Sequence, residues 1–169
     1  MSDSVYILDE DLLASNNKRF LNYVLDHVFF AILLILIGVI MGIFVALFQS
    51  TAISDWVQSL GNWGWNIIML IITISYYTLF ESLSGRTFGK LFTGTIVVNE
   101  NGEKPDFGTV FKRSLCRLIP FNAFSFLFNP GLGWHDSISD TYVVNKKSLE
   151  ESLKMFHDFK LIGVPETEI

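Results

Sequence analysis

Two long uncharged stretches dominate the pattern of the chain. His27 to Ser54 holds no Asp, Glu, Lys or Arg, and within it Val28 to Phe48 is an almost continuous apolar run, VFFAILLILIGVIMGIFVALF. Crossing ~30 Å of hydrocarbon takes about 20 such residues as a helix. Trp56 to Phe80 is the second stretch, with its apolar heart at Trp63 to Leu79 and with Trp63 and Trp65 placed as interfacial anchors. Both runs exceed an ordinary core helix. The pattern predicts spans over about residues 25–48 and 63–83.

A third apolar stretch, Leu118 to Trp134, is also uncharged, but Pro120, Asn122, Asn129, Pro130, Gly131 and Gly133 interrupt it. Pro130 and the glycines beside it stop a helix near Phe128. From Leu118 to Phe128 a helix rises only about 16 Å, half the hydrocarbon core. The expectation is a broken, re-entrant or short membrane segment over residues 118–133, with a full crossing as the alternative. Before it, Phe107 to Ile119 reads as an amphipathic surface helix. Lys112, Arg113, Cys116 and Arg117 form its polar flank, and Phe107, Val110, Phe111, Ser114, Leu115 and Leu118 face away.

Between the spans the period changes. Thr95-Ile-Val-Val98 is β-branched and runs into a polar turn, Asn99 to Pro105, containing Asn101-Gly102. Thr141-Tyr-Val-Val144 has the same character, and the two can pair if both lie in the cytoplasm. Ser148 to Lys160 reads as a last short helix. The fold class is an α-helical integral membrane protein with two long transmembrane helices, a third broken or short membrane segment and a small cytoplasmic β element. Residues 1–16 form an acidic N-terminal tail, 17–147 the membrane domain and 148–169 a C-terminal surface segment.

Composition narrows the function classes. Of 169 residues, 50% are hydrophobic and 17% charged, against about 25% charged in a soluble domain. One cysteine, Cys116, excludes an intramolecular disulfide framework and a multi-thiolate zinc site. A net charge of −5 gives no reason to expect nucleic acid. Up to Asn17 the chain carries Asp3, Asp9, Glu10 and Asp11 and no basic residue, so no signal-peptide n-region precedes the first span, which is expected to persist as an anchor. Lys18 and Arg19 precede that span, only Asp55 is charged between Gln49 and Asn62, and Arg86, Lys90, Lys104, Lys112, Arg113 and Arg117 follow the second. The positive-inside rule then puts the N-terminus in the cytoplasm, residues 49–62 outside and residues 84–117 back inside. Lys146, Lys147, Lys154 and Lys160 favour a cytoplasmic C-terminus.

Charges at the ends of spans are costly and carry the candidate chemistry. Arg19, Asn22 and Asp26 fall on one helix face at the start of span one. Glu81 ends span two at a comparable depth, with Arg86 just beyond. Each carboxylate has two readings: a desolvated group that binds a proton or cation, or a structural clamp paired with a guanidinium. His27 is an interfacial histidine or a proton relay. His135-Asp136 is a second polar pair, and with only His157 left over the imidazoles give no metal motif. Gly38 and Gly42 allow close helix approach. Gly85-Arg-Thr-Phe-Gly89-Lys90 is not a phosphate loop, because the glycine spacing is short and Leu91 follows the lysine. No catalytic motif, metal or cofactor is expected.

Three ordered motifs resemble the RDD family of small bacterial membrane proteins, named for one arginine and two aspartates. They are Arg19-Phe-Leu-Asn22-Tyr-Val-Leu-Asp26, then Gly85-Arg-Thr-Phe-Gly-Lys90 leading to Thr95–Val98 and Asn101-Gly102, then Arg113-Ser-Leu-Cys-Arg117 followed by His135-Asp136 and Thr141–Val144. By position Arg19, Asp26 and Asp136 match the naming residues. The resemblance implies an inner-membrane protein. Some relatives are linked to exchange of sodium or other monovalent cations for protons. On that reading Asp26 is the ion or proton site, Glu81 and Asp136 are second candidates, and Arg19, Arg86, Arg117 and His135 balance charge. Transport by so small a chain would require a homo-oligomer exchanging Na, Li or K for protons. The other reading is a non-catalytic module that assembles with a membrane partner protein or organises lipid, with Arg19–Asp26 and Arg117–Asp136 as structural pairs.

Overall fold

In the computed structural model, residues 6–49, 51–119, 125 and 132–162 are described. The stretch in which the third membrane segment was expected lies almost wholly outside them. Helix α1 spans Asn16–Phe48 and α2 spans Ala52–Ser84. Both are long and apolar enough to cross a membrane. Gln49, with φ 48°, turns the chain between them. The second helix starts earlier than the apolar heart suggests, because Ala52 to Leu60 is helical too. Gly61 breaks it with φ 57° and ψ −175°, a left-handed backbone that glycine adopts without a Cβ penalty.

Along the apolar stretches these helices face outward. Ile32, Ile35, Ile40 and Leu47 on α1, and Trp63, Ile67 and Ile71 on α2, are exposed. A Cβ added at Gly38 or Gly42 meets nothing within 4 Å. The helices come together at their polar ends, around a third element. Helix α3, Phe88–Thr93, follows the left-handed cap Gly85 and lies on α1. Its Phe88 ring stacks on Phe29 of α1 at 3.7 Å between centroids and meets Phe80 of α2 edge-on at 5.7 Å.

Strand β1, Thr95–Val98, pairs antiparallel with β2, Tyr142–Asn145, in the register Ile96 to Val144 and Val97 to Val143. Between them come α4, Phe107–Cys116, capped by Asp106 accepting from the Thr109 amide, and the short α5, Trp134–Ile138. Helix α6, Lys146–Ile162, continues directly from β2. Val98, Val144 and Leu149 form a small core with Leu8, Leu12 and Leu13 packed against it. Residues 6–14, acidic enough to read as a tail, are therefore a strap over the sheet. The Leu8 amide donates to Glu100 O at 2.9 Å, the Ala14 amide donates to Val143 O at 2.8 Å, and Tyr6 Oη lies 2.9 Å from Ser152 Oγ. Its leucines are half-buried while its carboxylates stay exposed.

Helix α4 is amphipathic, but its buried side draws on both expected flanks, taking Arg113 from the polar one and Val110 and Ser114 from the other. Val110, Arg113 and Ser114 are buried, whereas Phe107, Phe111, Leu115 and Leu118 are exposed. The physical reason is that Arg113 and Arg117 find carboxylates inside the fold. The apolar stripe of Phe107, Phe111, Leu115 and Leu118 is left on the surface.

Candidate functional site

The polar ends of α1 and α2 carry two linked sites. The first centres on Asp26. Its Oδ2 accepts from Thr87 Oγ1 at 2.7 Å, and its Oδ1 accepts from the Gly89 amide at 2.7 Å and from Tyr76 Oη at 3.1 Å. Tyr76 Oη in turn accepts from the Phe88 amide at 3.3 Å. Asp26 thus binds an otherwise unsatisfied donor in the first turn of α3 from a neighbouring helix. One turn earlier Asn22 donates to Thr95 Oγ1 at 3.0 Å and accepts from Thr93 Oγ1. The close approach requires glycine: a Cβ at Gly89 falls 2.4 Å from Asn22 O.

The second site is a buried ion network. Glu81, wholly buried in the last turn of α2, accepts from Lys90, from Arg117 Nη2 at 2.7 Å, and pairs with Arg113 Nε at 3.1 Å. Asp136, wholly buried in α5, pairs with Arg19 and with Arg113 Nη1 at 2.5 Å, and accepts from the Gly133 amide at 3.1 Å. Arg113 therefore bridges both carboxylates, and it also donates to Thr141 Oγ1. Arg19 reaches further, donating Nε to Ala14 O at 3.0 Å and Nη2 to Val143 O at 3.2 Å. It ties the strap, β2 and α5 to the base of α1. The Arg117 guanidinium also lies over the Tyr77 ring, 4.1 Å from its centroid.

Burial pushes the Asp136 carboxyl up, but the Arg113 and Arg19 guanidiniums beside it hold it well below the usual range. It stays ionised, and its stabilisation is fully present above about pH 4 and drains away as pH falls further. Burial lowers Arg117, yet Glu81 beside it leaves the net shift upward. His135 Nε2 lies 3.5 Å from Asp136 Oδ1, and burial pushes this imidazole well below its ordinary value. It is neutral at pH 7.

Burial also pulls Lys90 down to about 8 from an ordinary 10.5, against the attraction of Glu81. The unfolded lysine keeps its proton to higher pH, so the penalty of burying the ammonium is complete below pH 8 and is relieved as pH rises toward 10.5. Wild type is therefore expected to gain thermal stability relative to Lys90→Met between about pH 8 and pH 10. Unfolding midpoints of both proteins across that range check it, and a difference that stays flat refutes it.

The sequence-derived candidates are placed but re-paired. Arg19 does not pair with Asp26, because Asp26 is saturated by α3 and Tyr76; Arg19 takes Asp136 instead. Arg117 takes Glu81 rather than Asp136. Among the described residues Arg86 forms none of the ion pairs, since the chain turns at Gly85 and carries Lys90 back to Glu81. Lys90, Arg113, Thr87, Gly89 and Tyr76 were not among the candidates. The signals for two of them were present: Arg113 and Arg117 share a helix face at i and i+4, and Gly89-Lys90 lies in a motif set aside once it failed as a phosphate loop. No group of three or more His, Cys, Asp or Glu is placed to hold a metal ion among the described residues.

Two apolar helices of membrane length, anchored at one end by a network of arginines and carboxylates, define a helical membrane protein. The RDD family model matches residues 13–138, from the strap through α5, and includes Arg19, Asp26 and Asp136. The chain belongs to the RDD family. No curated protein and no solved structure matches it.

Proposed function

We propose that the chain is a non-catalytic module of the inner membrane. Two helices cross the bilayer, and a cytoplasmic unit made of the strap, sheet, α4, α5 and α6 is clamped to their ends. The module assembles with another membrane protein or organises lipid. One observation carries the reading. All three candidate ion sites are occupied by the chain's own donors: Asp26 by Tyr76, Thr87 and Gly89, Glu81 by Lys90, Arg113 and Arg117, and Asp136 by Arg19, Arg113 and Gly133. A cation at Asp26 would have to displace donors that hold α3 on α1. The cytoplasmic orientation is supported by the basic residues flanking both spans.

The competing reading, monovalent cation/proton exchange by a homo-oligomer with Asp26 as ion site, is decided by flux. Proteoliposomes carrying a preset pH gradient receive sodium, lithium or potassium outside, with wild type beside Asp26→Asn. Clamping predicts no cation-dependent proton flux from wild type and a lower folded yield for Asp26→Asn. Cation-dependent flux that disappears in a folded, inserted Asp26→Asn protein assigns exchange to Asp26 instead.

A further inference from the structure

The ion network holds more positive charge than its carboxylates answer. Among the described residues Arg19, Lys90, Arg113 and Arg117 form their ion pairs with two carboxylates, Glu81 and Asp136; Asp26 adds a third negative charge near Arg117 but takes its hydrogen bonds from neutral donors. His135, being neutral, leaves the excess unchanged. Unmatched charge out of water is strongly unfavourable. Two donors make the same point from geometry alone. Arg113 Nη2, on a wholly buried side chain, and Arg117 Nε are both out of solvent and, among the described residues, without a hydrogen-bond partner. Buried polar groups without partners are rare and call for an explanation.

The location narrows the missing partner. The network opens at Arg117, whose side chain is 17% exposed while those of Glu81 and Arg113 are 0%. Its neighbours Leu115, Leu118 and Ile119 are exposed and apolar, and Phe107 and Phe111 extend the stripe along α4. A helix with this profile lies at the level of lipid headgroups. Paired guanidiniums one turn apart suit the several oxygens of a phosphate group. The geometry points to a phosphate-binding site in which Arg117, with Arg113 behind it, holds the phosphate of an anionic phospholipid or free phosphate. Entry of the anion supplies negative charge the network lacks. Lys112, exposed on the same helix, is outside the site.

This inference rests on reading the network as a structural clamp, but the two fail separately, since ion flux tests the clamp and phosphate binding tests the site. The full chain is placed in nanodiscs of phosphatidylcholine alone, with inorganic phosphate titrated in, and in nanodiscs containing phosphatidylglycerol. A saturable rise in unfolding temperature in either arm is expected. A rise with inorganic phosphate assigns a site open to the free anion; a rise with phosphatidylglycerol alone assigns the lipid headgroup. Arg117→Gln should weaken the midpoint concentration about tenfold, the equivalent of one charged hydrogen bond, and Lys112→Gln should leave it unchanged. Equal loss in both variants, or no loss in Arg117→Gln, overturns the site in favour of diffuse attraction. If Arg117→Gln does not fold, native mass spectrometry of wild type from mixed micelles decides. One phosphatidylglycerol or phosphate retained per chain supports the site, and retention of neither overturns it.

Discussion

Glu81→Gln lowers the unfolding free energy by about 3–5 kcal/mol, the cost of removing one partner from a buried ion pair. The mechanism is specific to this carboxylate. Glu81 is wholly buried and is the shared partner of Lys90, Arg113 and Arg117. The amide keeps the shape and one acceptor but discards the charge, leaving four cations to share Asp136. The loss is expected in unfolding titrations in mixed micelles. Adding Lys90→Met to Glu81→Gln should recover part of it, because removing a cation relieves the same imbalance. A double variant no more stable than Glu81→Gln alone would show that packing, and not charge, sets the effect.

Gly89→Ala is the second large effect, and it is steric. The new Cβ falls 2.4 Å from Asn22 O and 3.1 Å from Asn22 C and Cα. Overpacking costs about 1–3 kcal/mol where side chains yield. Here the obstacle is backbone, so the upper end is expected. The shift also pulls the Gly89 amide off Asp26, which uncouples α3 from α1. Gly38→Ala and Gly42→Ala supply the contrast: with open space at both positions, the folded monomer should be unchanged. Unfolding midpoints of the three variants decide it, and equal losses at all three would refute the steric account.

The two long helices were legible because uncharged length is a one-dimensional signal. So were the two β-branched stretches at Thr95–Val98 and Thr141–Val144, which lie in or beside β1 and β2. The candidate carboxylates were found by cost: a charge at the end of an apolar run needs a reason. Their partners were not legible. Helical periodicity placed Arg19 and Asp26 on one face, but a shared face allows contact without requiring it. Asp26 was claimed by the Gly89 amide of a short helix and by the hydroxyls of Thr87 and Tyr76. Arg113 shows the limit most clearly. Helical periodicity placed it with Lys112 and Arg117 on the polar flank of a membrane-surface helix. In the fold it is buried instead, against two acids contributed by distant parts of the chain. Residues 6–14 failed for a related reason, since their acids mask Leu8, Leu12 and Leu13, which pack half-buried against the sheet.

The distance along the chain between partners also sets an order of events during synthesis. Arg19 and Asp136 are 117 positions apart. At about 5–20 residues per second, the arginine emerges on the order of ten seconds before the aspartate that receives it. Glu81 has Lys90 early but waits for Arg113 and Arg117. Both long helices are therefore made before their polar ends are compensated, and α5 brings the second of the two carboxylates that pair with the network. A nascent chain stalled short of Asp136 leaves the Arg19 guanidinium at the base of its first helix without the carboxylate it meets in the finished fold.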